Sequence, residues 1–344
     1  MKAKSRKAPY SPSWINRLID WIDKRRTPSW LTYFVIYILG VMYIAVSLLP
    51  ERLNQFPRIA IINAIWIPFP LACVHYLIRY AEQVVDRFRS ELECSPEEVE
   101  LIRFRMTTIP QSVAVVILLV VGIVIYVDAI WGSATVIGGN KLHSPLARIL
   151  IPLYPSIGIS FTPLLIYLTI RQIYFVNYLY TRVKEVDIFN LQPLYIPSTL
   201  TARLGIIWLL FISVNLITSG ATLSLVPAFY IMLASAQTLV ALIAFLLPLW
   251  GIHRKILQQK QRLLHEHFGL VKRVYDKFQH LFQVEDYEAI EKLTQSVDML
   301  KTFKAELEKV STWPWRTETL QGFLSAIFLP ILLWLIQYLL DQYL

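Results

Sequence analysis

The stretch WLTYFVIYILGVMYIAVSLL, Trp30–Leu49, decides the fold class of this chain. It contains no charged residue and is followed directly by Pro50. A helix needs about 20 predominantly apolar residues to cross the roughly 30 Å hydrocarbon core of a bilayer. The stretch therefore predicts a membrane-spanning helix. It starts late in the sequence and is long enough to span, so we do not expect a cleavable signal peptide.

Apolar stretches of similar length recur along the rest of the chain. Hydrophobic residues make up 56% of the sequence and charged residues only 17%, whereas soluble domains carry about 25% charged residues. The pattern predicts an all-α, polytopic integral membrane bundle of about seven spans. The predicted spans are Trp30–Leu49, Ile59–Ile78, Thr108–Trp131, Ile149–Ile170, Leu204–Leu223, Val226–Ile252 and Leu320–Leu340.

Positive charge predicts the orientation of these spans. Loops 79–107, 171–203 and 253–319 hold many arginines and lysines, while the loops between them are poor in both. Cytoplasmic loops carry an excess of such residues. We therefore expect the N-terminus inside and the C-terminus outside, in the cell (plasma or inner) membrane. The basic loops and their contacts with lipid headgroups account for the net charge of +9. The lipid bilayer is therefore the expected partner, and no nucleic-acid partner is expected.

The sequence divides into four predicted segments. Residues 1–29 form a basic tail whose helix, capped by Ser13, is expected to lie in the membrane interface. Its apolar residues at helical spacing are Trp14, Leu18, Trp21 and Ile22. Residues 30–252 contain spans one to six, residues 253–312 a cytoplasmic helical hairpin, and residues 313–344 a Trp-Pro-Trp anchor with span seven.

The predicted hairpin carries two apolar stripes at spacings of three and four residues. One runs from Leu264 to Leu281 and the other from Ile290 to Val310, with a break at Gln283–Asp286. This pattern favours an antiparallel helical pair. The pair is either a self-contained link between spans or an oligomerisation stem. Because two helices alone bury little apolar surface, we expect further contacts, either with loop 80–107 or in a homo-oligomer. A cytosolic protein partner binding through 253–312 is the alternative.

Four residues join this hairpin to the last span: Trp313, Pro314, Trp315 and Arg316. Proline interrupts a helix, and tryptophan is enriched at the membrane–water interface. The sequence therefore predicts an anchor that also serves as a hinge.

Polar residues and prolines inside the spans give the candidate ligand or pore region. Broken helices expose carbonyl groups and mark binding sites in transporters, although a single polar residue in a span more often bonds to a neighbouring helix. The candidates are Asn63, Pro68, Pro70, Ser156, Ser160, Asn215, Gln237 and Gln337.

Motifs for catalysis are missing from the sequence. It contains no P-loop, GxSxG, HExxH or GxGxxG pattern, so no catalytic residue, cofactor or metal ligand is predicted and we do not expect an enzyme. Ionisable residues in the spans are few, with His75 and Asp128 near the ends of theirs, which disfavours an ion-coupled pump.

The layout of these segments resembles that of insect chemoreceptor channels. The resemblance lies in the seven spans, the inside N-terminus and the long helical block before the last span, and in no sequence motif. It implies an oligomeric channel or chemosensory-type membrane protein. The alternatives are a non-conducting sensor or scaffold that recruits a cytosolic partner, and a carrier of lipids or small solutes.

Overall fold

The chain is helical almost throughout. The computed structural model describes residues 9–49, 56–131, 136–137, 140–141, 144–184, 186–223, 227–283 and 287–343. The helices in these residues are α1 (Trp14–Asp23), α2 (Ser29–Leu48), α3 (Phe56–Asn63), α4 (Pro68–Phe88), α5 (Pro96–Thr107), α6 (Gln111–Trp131), α7 (Pro145–Ile159), α8 (Phe161–Thr181), α9 (Tyr195–Leu223), α10 (Pro227–Leu246), α11 (Trp250–Gln283), α12 (Tyr287–Lys309) and α13 (Thr317–Tyr343). Short 3-10 turns lie at Ala64–Trp66, Arg89–Glu91, Gln192–Leu194 and Leu247–Leu249.

One small extended element accompanies the helices. Between α6 and α7, the two-residue strands β1 (Val136–Ile137) and β2 (Asn140–Lys141) pair antiparallel, with Val136 opposite Lys141. A ladder of this size is a turn feature, and the fold is all-α.

Six helical segments among the described residues are long and apolar enough to cross a membrane. They are Ser29–Leu48, Ala60–Glu91, Gln111–Asp128, Pro145–Thr181, Gln192–Leu216 and Ala234–Leu281. Each overlaps one of the first six predicted spans. The seventh predicted span, Leu320–Leu340, falls within the continuous helix α13, and many side chains in its second half lie outside the described ones. A count of seven therefore stays a prediction.

Two helices show the surface that lipid would contact. In α6, Val116, Leu119, Ile123 and Val124 are 57–62% exposed, and only 6% of the residues in its most apolar window are buried. In α2, the corresponding buried share is 22%. Such a wide apolar surface is unsuited to water and suited to hydrocarbon; α2 has no charged residue, and α6 has only Asp128, near its C-terminal end. The chain is thus a membrane-embedded helical protein.

The main core lies where α4, α8 and α9 pack together. Val74, Leu168 and Phe211 are at most 1% exposed and belong to one continuous cluster of buried side chains. A second, smaller cluster joins α2, α3 and α7 through Ile44, Ala60 and other residues. The two clusters divide the bundle into a central body and a peripheral three-helix group.

Helix α1 begins where the sequence predicts, because the Ser13 side chain accepts a hydrogen bond from the Asn16 backbone N–H. The structure also gives α1 a side that is buried in the protein, which shares only Ile22 with the residues predicted to meet the membrane interface. Ile15, Ile19 and Ile22 are at most 1% exposed, and the first two join the main core. Trp14 and Trp21 are 37% and 47% exposed. One face of α1 therefore packs against protein, and only the other is free to meet the membrane surface.

Helices α11 and α12 pack against each other and run in opposite directions. Near the base of the pair, Lys260 Nζ donates to the carbonyl oxygens of Glu308 and Val310, at 2.7 and 2.9 Å. Further along, the ring of His267 stacks on that of Phe303, with centroids 5.7 Å apart. Residues later in α11 therefore contact residues earlier in α12, as in an antiparallel pair.

Helix α13 packs on α9 and α10 with its N-terminal half. Phe323 is 2% exposed, and its ring centroid lies 4.3 Å from that of Phe245. A side chain larger than hydrogen at Gly205 would overlap the Phe323 ring. The close approach of α9 and α13 thus depends on a glycine, as is common where helices meet in membranes.

Candidate functional site

Ionisable side chains form a network where α1 meets α4. His75 and Arg79 lie one helical turn apart on α4, and both face α1. Arg79 Nη2 lies 2.6 Å from an Asp20 carboxylate oxygen, and Arg79 Nε lies 2.6 Å from one of Asp23. Arg79 Nη1 also pairs with Glu82 on its own helix, at 2.9 Å. One guanidinium thus holds three carboxylates and attaches α1 to the second membrane-spanning segment.

His75 extends this network into α2. Its Nε2 atom lies 3.0 Å from Asp23 Oδ1, and its Nδ1 atom lies 2.7 Å from the Tyr33 hydroxyl oxygen. A carboxylate only accepts hydrogen bonds, so Nε2 carries a proton; in the neutral ring, Nδ1 then accepts from Tyr33. The chain Tyr33–His75–Asp23 links three helices through one buried imidazole. Its evident role is to hold α1, α2 and α4 in register.

A second set of hydrogen bonds ties the start of α1 to the turn between α5 and α6. Asn16 Nδ2 donates to the Thr107 carbonyl at 3.0 Å, and Asn16 Oδ1 accepts from the Ile109 N–H at 2.9 Å. The Ser13 N–H donates to the Ile109 carbonyl at 2.9 Å. Asn16 therefore satisfies backbone groups that the ends of α5 and α6 leave unpaired.

The predicted break in the second span is present, and the protein itself fills it. Pro68 lies in the first turn of α4 and has no N–H to offer the Ala64 carbonyl four residues earlier. The Tyr154 hydroxyl of α7 donates to that carbonyl at 2.9 Å. Pro68 and Pro70 are both buried, and Asn63 is half-buried at the end of α3. The break is thus a packing contact with α7.

The candidates in the fourth span are buried in the same region. Ser156 and Ser160 are 2% and 1% exposed. The Ser160 hydroxyl donates to the Ile157 carbonyl of α7 at 2.6 Å and lies beside Gly122 of α6. Helix α7 ends at Ile159 and α8 begins at Phe161, so the helical assignment is interrupted at Ser160, while Pro152 and Pro155 lie inside α7.

The remaining candidates lie in other helices. Asn215 Nδ2 donates to the Phe211 carbonyl within α9. Gln237 of α10 is 8% exposed, and its Oε1 atom has no partner among the described residues. Gln337 belongs to the part of α13 whose side chains are not described. The eight candidates are therefore spread over α3, α4, α7, α9, α10 and α13, and they do not form a single polar cluster within the described part of the chain.

Gln172 is a buried polar residue that the predicted candidates do not include. Gln172 of α8 is fully buried, its Nε2 atom donates to the Leu77 carbonyl at 3.2 Å, and its Oε1 atom has no partner in the described ranges. The predicted fourth span ends at Ile170, whereas α8 continues to Thr181. The signal available in the sequence was that the polar Gln172 lies within an apolar stretch, two residues after Ile170 and next to Ile173.

The predicted anchor is a stack of aromatic rings. Trp313 stacks on His253 of α11 and on Trp315, with centroids 4.1 and 4.6 Å apart. Trp315 in turn stacks on Phe245 of α10 at 5.4 Å. Pro314 is buried and Arg316 is exposed. The four residues thus connect the α11–α12 pair to the helices that pack on α13.

The α11–α12 pair carries apolar side chains on its surface. Leu270, Met299 and Phe303 are 43%, 75% and 39% exposed. Leu270 and Met299 lie on one side of the antiparallel pair, and Phe303 lies at the edge of that side, where its ring also contacts those of His267 and Phe189; we call the three residues the outer apolar face.

Across the described part of the chain, no three His, Cys, Asp or Glu side chains are grouped so as to hold a metal ion. Comparison with protein-family models, with curated proteins and with solved structures gave no match to this chain.

Proposed function

We propose that the chain is a subunit of an oligomeric channel or chemosensory-type membrane protein. In this proposal α13 is the seventh span, the N-terminus is cytoplasmic, and the α11–α12 pair is a cytoplasmic hairpin that anchors the assembly. The protein would reside in the cell (plasma or inner) membrane.

The observation that carries this proposal is the outer apolar face. Met299 alone is 75% exposed, and Leu270 and Phe303 are 43% and 39% exposed. Exposed apolar patches on polar segments mark interaction sites. A second copy of the chain presents the same face, so a symmetric, isologous contact would bury Leu270, Met299 and Phe303 from both copies.

Contacts among the positively charged loops support the proposed topology. The Glu93 N–H donates to the Arg182 carbonyl at 2.9 Å, and the Lys184 N–H donates to the Glu91 carbonyl at 3.1 Å. Lys255 Nζ donates to the Tyr180 carbonyl at 3.0 Å. The segments that follow α4, α8 and α10 therefore meet at one end of the bundle. All three belong to loops that the charge rule predicts to be cytoplasmic.

Ion flux through proteoliposomes tests the proposal. The full chain and the double variant Leu270→Glu/Met299→Glu would be reconstituted and potassium and chloride efflux measured, with Gln279→Glu, on the opposite side of α11 from Leu270, as a control for added negative charge. We expect flux from the wild type and the control, and loss of flux together with dissociation in the double variant.

Each other outcome changes the proposal in a defined way. An oligomer that conducts neither ion would refute the channel and favour the scaffold that recruits a cytosolic partner through residues 253–312. Flux that survives in a dissociated double variant would refute the anchoring role of α11 and α12.

A further inference from the structure

A cavity of about 320 Å³ opens between α11 and α12. Apolar side chains form most of its wall, among them Phe268, Val271, Tyr275 and Val297. Sites for small molecules occupy roughly 300–1,000 Å³ and have mainly apolar walls with a few polar groups. On an antiparallel pair, these residues lie on the side opposite to the outer apolar face. These four residues are therefore separate from Leu270 and Met299, while His267 of the cavity wall contacts Phe303.

His267 lines this cavity, and its buried Nδ1 atom has no hydrogen-bond partner in the part of the chain that the structure describes. The residue is only 3% exposed, and its ring lies against the rings of Phe268 and Phe303. A buried polar atom without a partner is costly and calls for an explanation. A ligand oxygen that accepts from an Nδ1–H would provide one.

Two lysines give the mouth of the cavity a positive charge. Lys304 Nζ lies 5.5 Å from the Phe268 ring centroid, and Lys301 also lines the cavity. Lys301 Nζ is 3.3 Å from an Asp298 carboxylate oxygen, and Lys304 Nζ is 3.7 Å from one of Glu308. All four side chains are at least 41% exposed. Such exposed pairs are weak, so the ammonium groups can turn to another anion at little cost.

We propose that this cavity binds a single-chain amphipathic carboxylate of the medium-chain fatty-acid class. The apolar wall takes the hydrocarbon chain, including at Val271 and Val297. The carboxylate accepts hydrogen bonds from the ammonium groups of Lys301 and Lys304, and from His267 Nδ1–H once the imidazole ring has turned toward the cavity. The volume suits one chain rather than the two of a phospholipid. This site goes beyond the proposed assembly and needs only α11 and α12.

Direct binding of radiolabelled dodecanoate to the full-length protein in amphipol, measured by scintillation proximity, tests this site. Val271→Trp fills the cavity, and Lys301→Glu/Lys304→Glu reverses the charge at its mouth. Gln258→Trp introduces the same side chain at an exposed position of α11 that belongs neither to the cavity nor to the outer apolar face, and serves as the control. Gel filtration and circular dichroism establish that each variant is folded.

We expect saturable binding that Val271→Trp and the double lysine variant each weaken at least tenfold, while Gln258→Trp changes it less than twofold. Dodecanol should compete at least tenfold less well than unlabelled dodecanoate. No saturable binding, or equal binding by folded Val271→Trp, would overturn the proposal. If the protein binds no dodecanoate and Val271→Trp dissociates the oligomer, the proposal is also overturned. The cavity would then be assigned to a helix of a second copy. Ion flux plays no part in the readout, so this site and the proposed channel can fail independently.

Discussion

The hydroxyl of Tyr154 donates a 2.9 Å hydrogen bond to the carbonyl oxygen of Ala64, the acceptor that Pro68 cannot serve. The helical break in the second membrane-spanning segment is thereby closed by a side chain from α7. This contact explains why a proline-containing stretch can lie within a bundle of apolar helices: its free carbonyl has a partner inside the protein.

Replacing Tyr154 with phenylalanine should destabilise the bundle. The variant keeps the ring and removes one hydrogen bond between helices, so we expect a loss of about 1 kcal/mol in unfolding free energy. Denaturant unfolding in detergent measures this loss. Tyr37→Phe, which removes an exposed hydrogen bond to the Ile61 carbonyl, is the control and should lose less than about 0.5 kcal/mol. Equal losses in both variants would contradict the assignment.

The ionic network predicts that Arg79→Ala loosens α1. Removing the guanidinium leaves Asp20, Asp23 and Glu82 without their shared cation. We expect about 1–2 kcal/mol weaker docking of α1, between the values for exposed and buried ion pairs. Trypsin cleavage after residues 24–26 should then be about tenfold faster. Arg103→Ala, which breaks a more exposed pair with Asp86, should leave that rate unchanged; acceleration by both variants would show a general loss of stability instead.

Asn16 offers a residue-level test of the same docking. Asn16→Ala leaves the Ile109 N–H and the Thr107 carbonyl without partners, at a cost of about 1–3 kcal/mol. Hydrogen exchange by mass spectrometry should show about tenfold faster exchange in peptides that contain Ile109. Arg17→Ala, on the exposed side of α1, is the control. Unchanged exchange in Asn16→Ala would mean that α1 does not stay docked in solution.

Two glycines should respond to alanine in opposite directions. A Cβ at Gly158 would collide with the Trp66 backbone, whereas a Cβ at Gly269 meets no atom within 4 Å. We expect Gly158→Ala to destabilise the protein by about 1–3 kcal/mol through overpacking. Gly269→Ala, in the middle of α11, should stabilise it by about 0.5–1 kcal/mol through helix propensity. Thermal unfolding compares them, and a shift of the same sign in both would refute the close contact of α7 with Trp66.

The free cysteines Cys73 and Cys94 should differ in reactivity. Cys94 is partly exposed in the turn after α4, while Cys73 is buried among helices. The pKa of the Cys94 thiol is raised above its usual value of 9.0. Burial is the largest cause, and the nearby Glu98 carboxylate raises the pKa further. Because the thiolate is the reactive form, maleimide labelling of Cys94 should be slow at neutral pH and should still be accelerating as the pH passes 9.0. A rate that levels off below that pH would contradict this environment.

The bundle itself was largely predictable from the sequence. Length and lack of charge are local properties, so the apolar stretches reappear as helices at nearly the predicted positions. The break near Pro68 was also predictable, since proline begins helices far more readily than it continues them. The side chain that fills the break was not predictable, because Tyr154 lies 90 residues from Ala64 along the chain.

The environment of α1 shows where sequence reasoning stops. Its tryptophans and its isoleucines both recur at helical spacing, and periodicity cannot tell a lipid-facing stripe from a protein-facing one. The partner that decides between them is Arg79, which lies 59 and 56 residues beyond Asp20 and Asp23. Pairing across such separations follows from the packing of α1 on α4, which one sequence does not reveal.

The oligomeric mass of the purified full-length protein in nanodiscs tests the proposed assembly most directly. For a chain of 40.0 kDa, native mass spectrometry should show one discrete multiple of that mass, and Leu270→Glu/Met299→Glu should shift it to the single-chain value. A wild-type protein that stays at 40.0 kDa over the whole accessible concentration range would contradict the assembly, and with it the role proposed for α11 and α12.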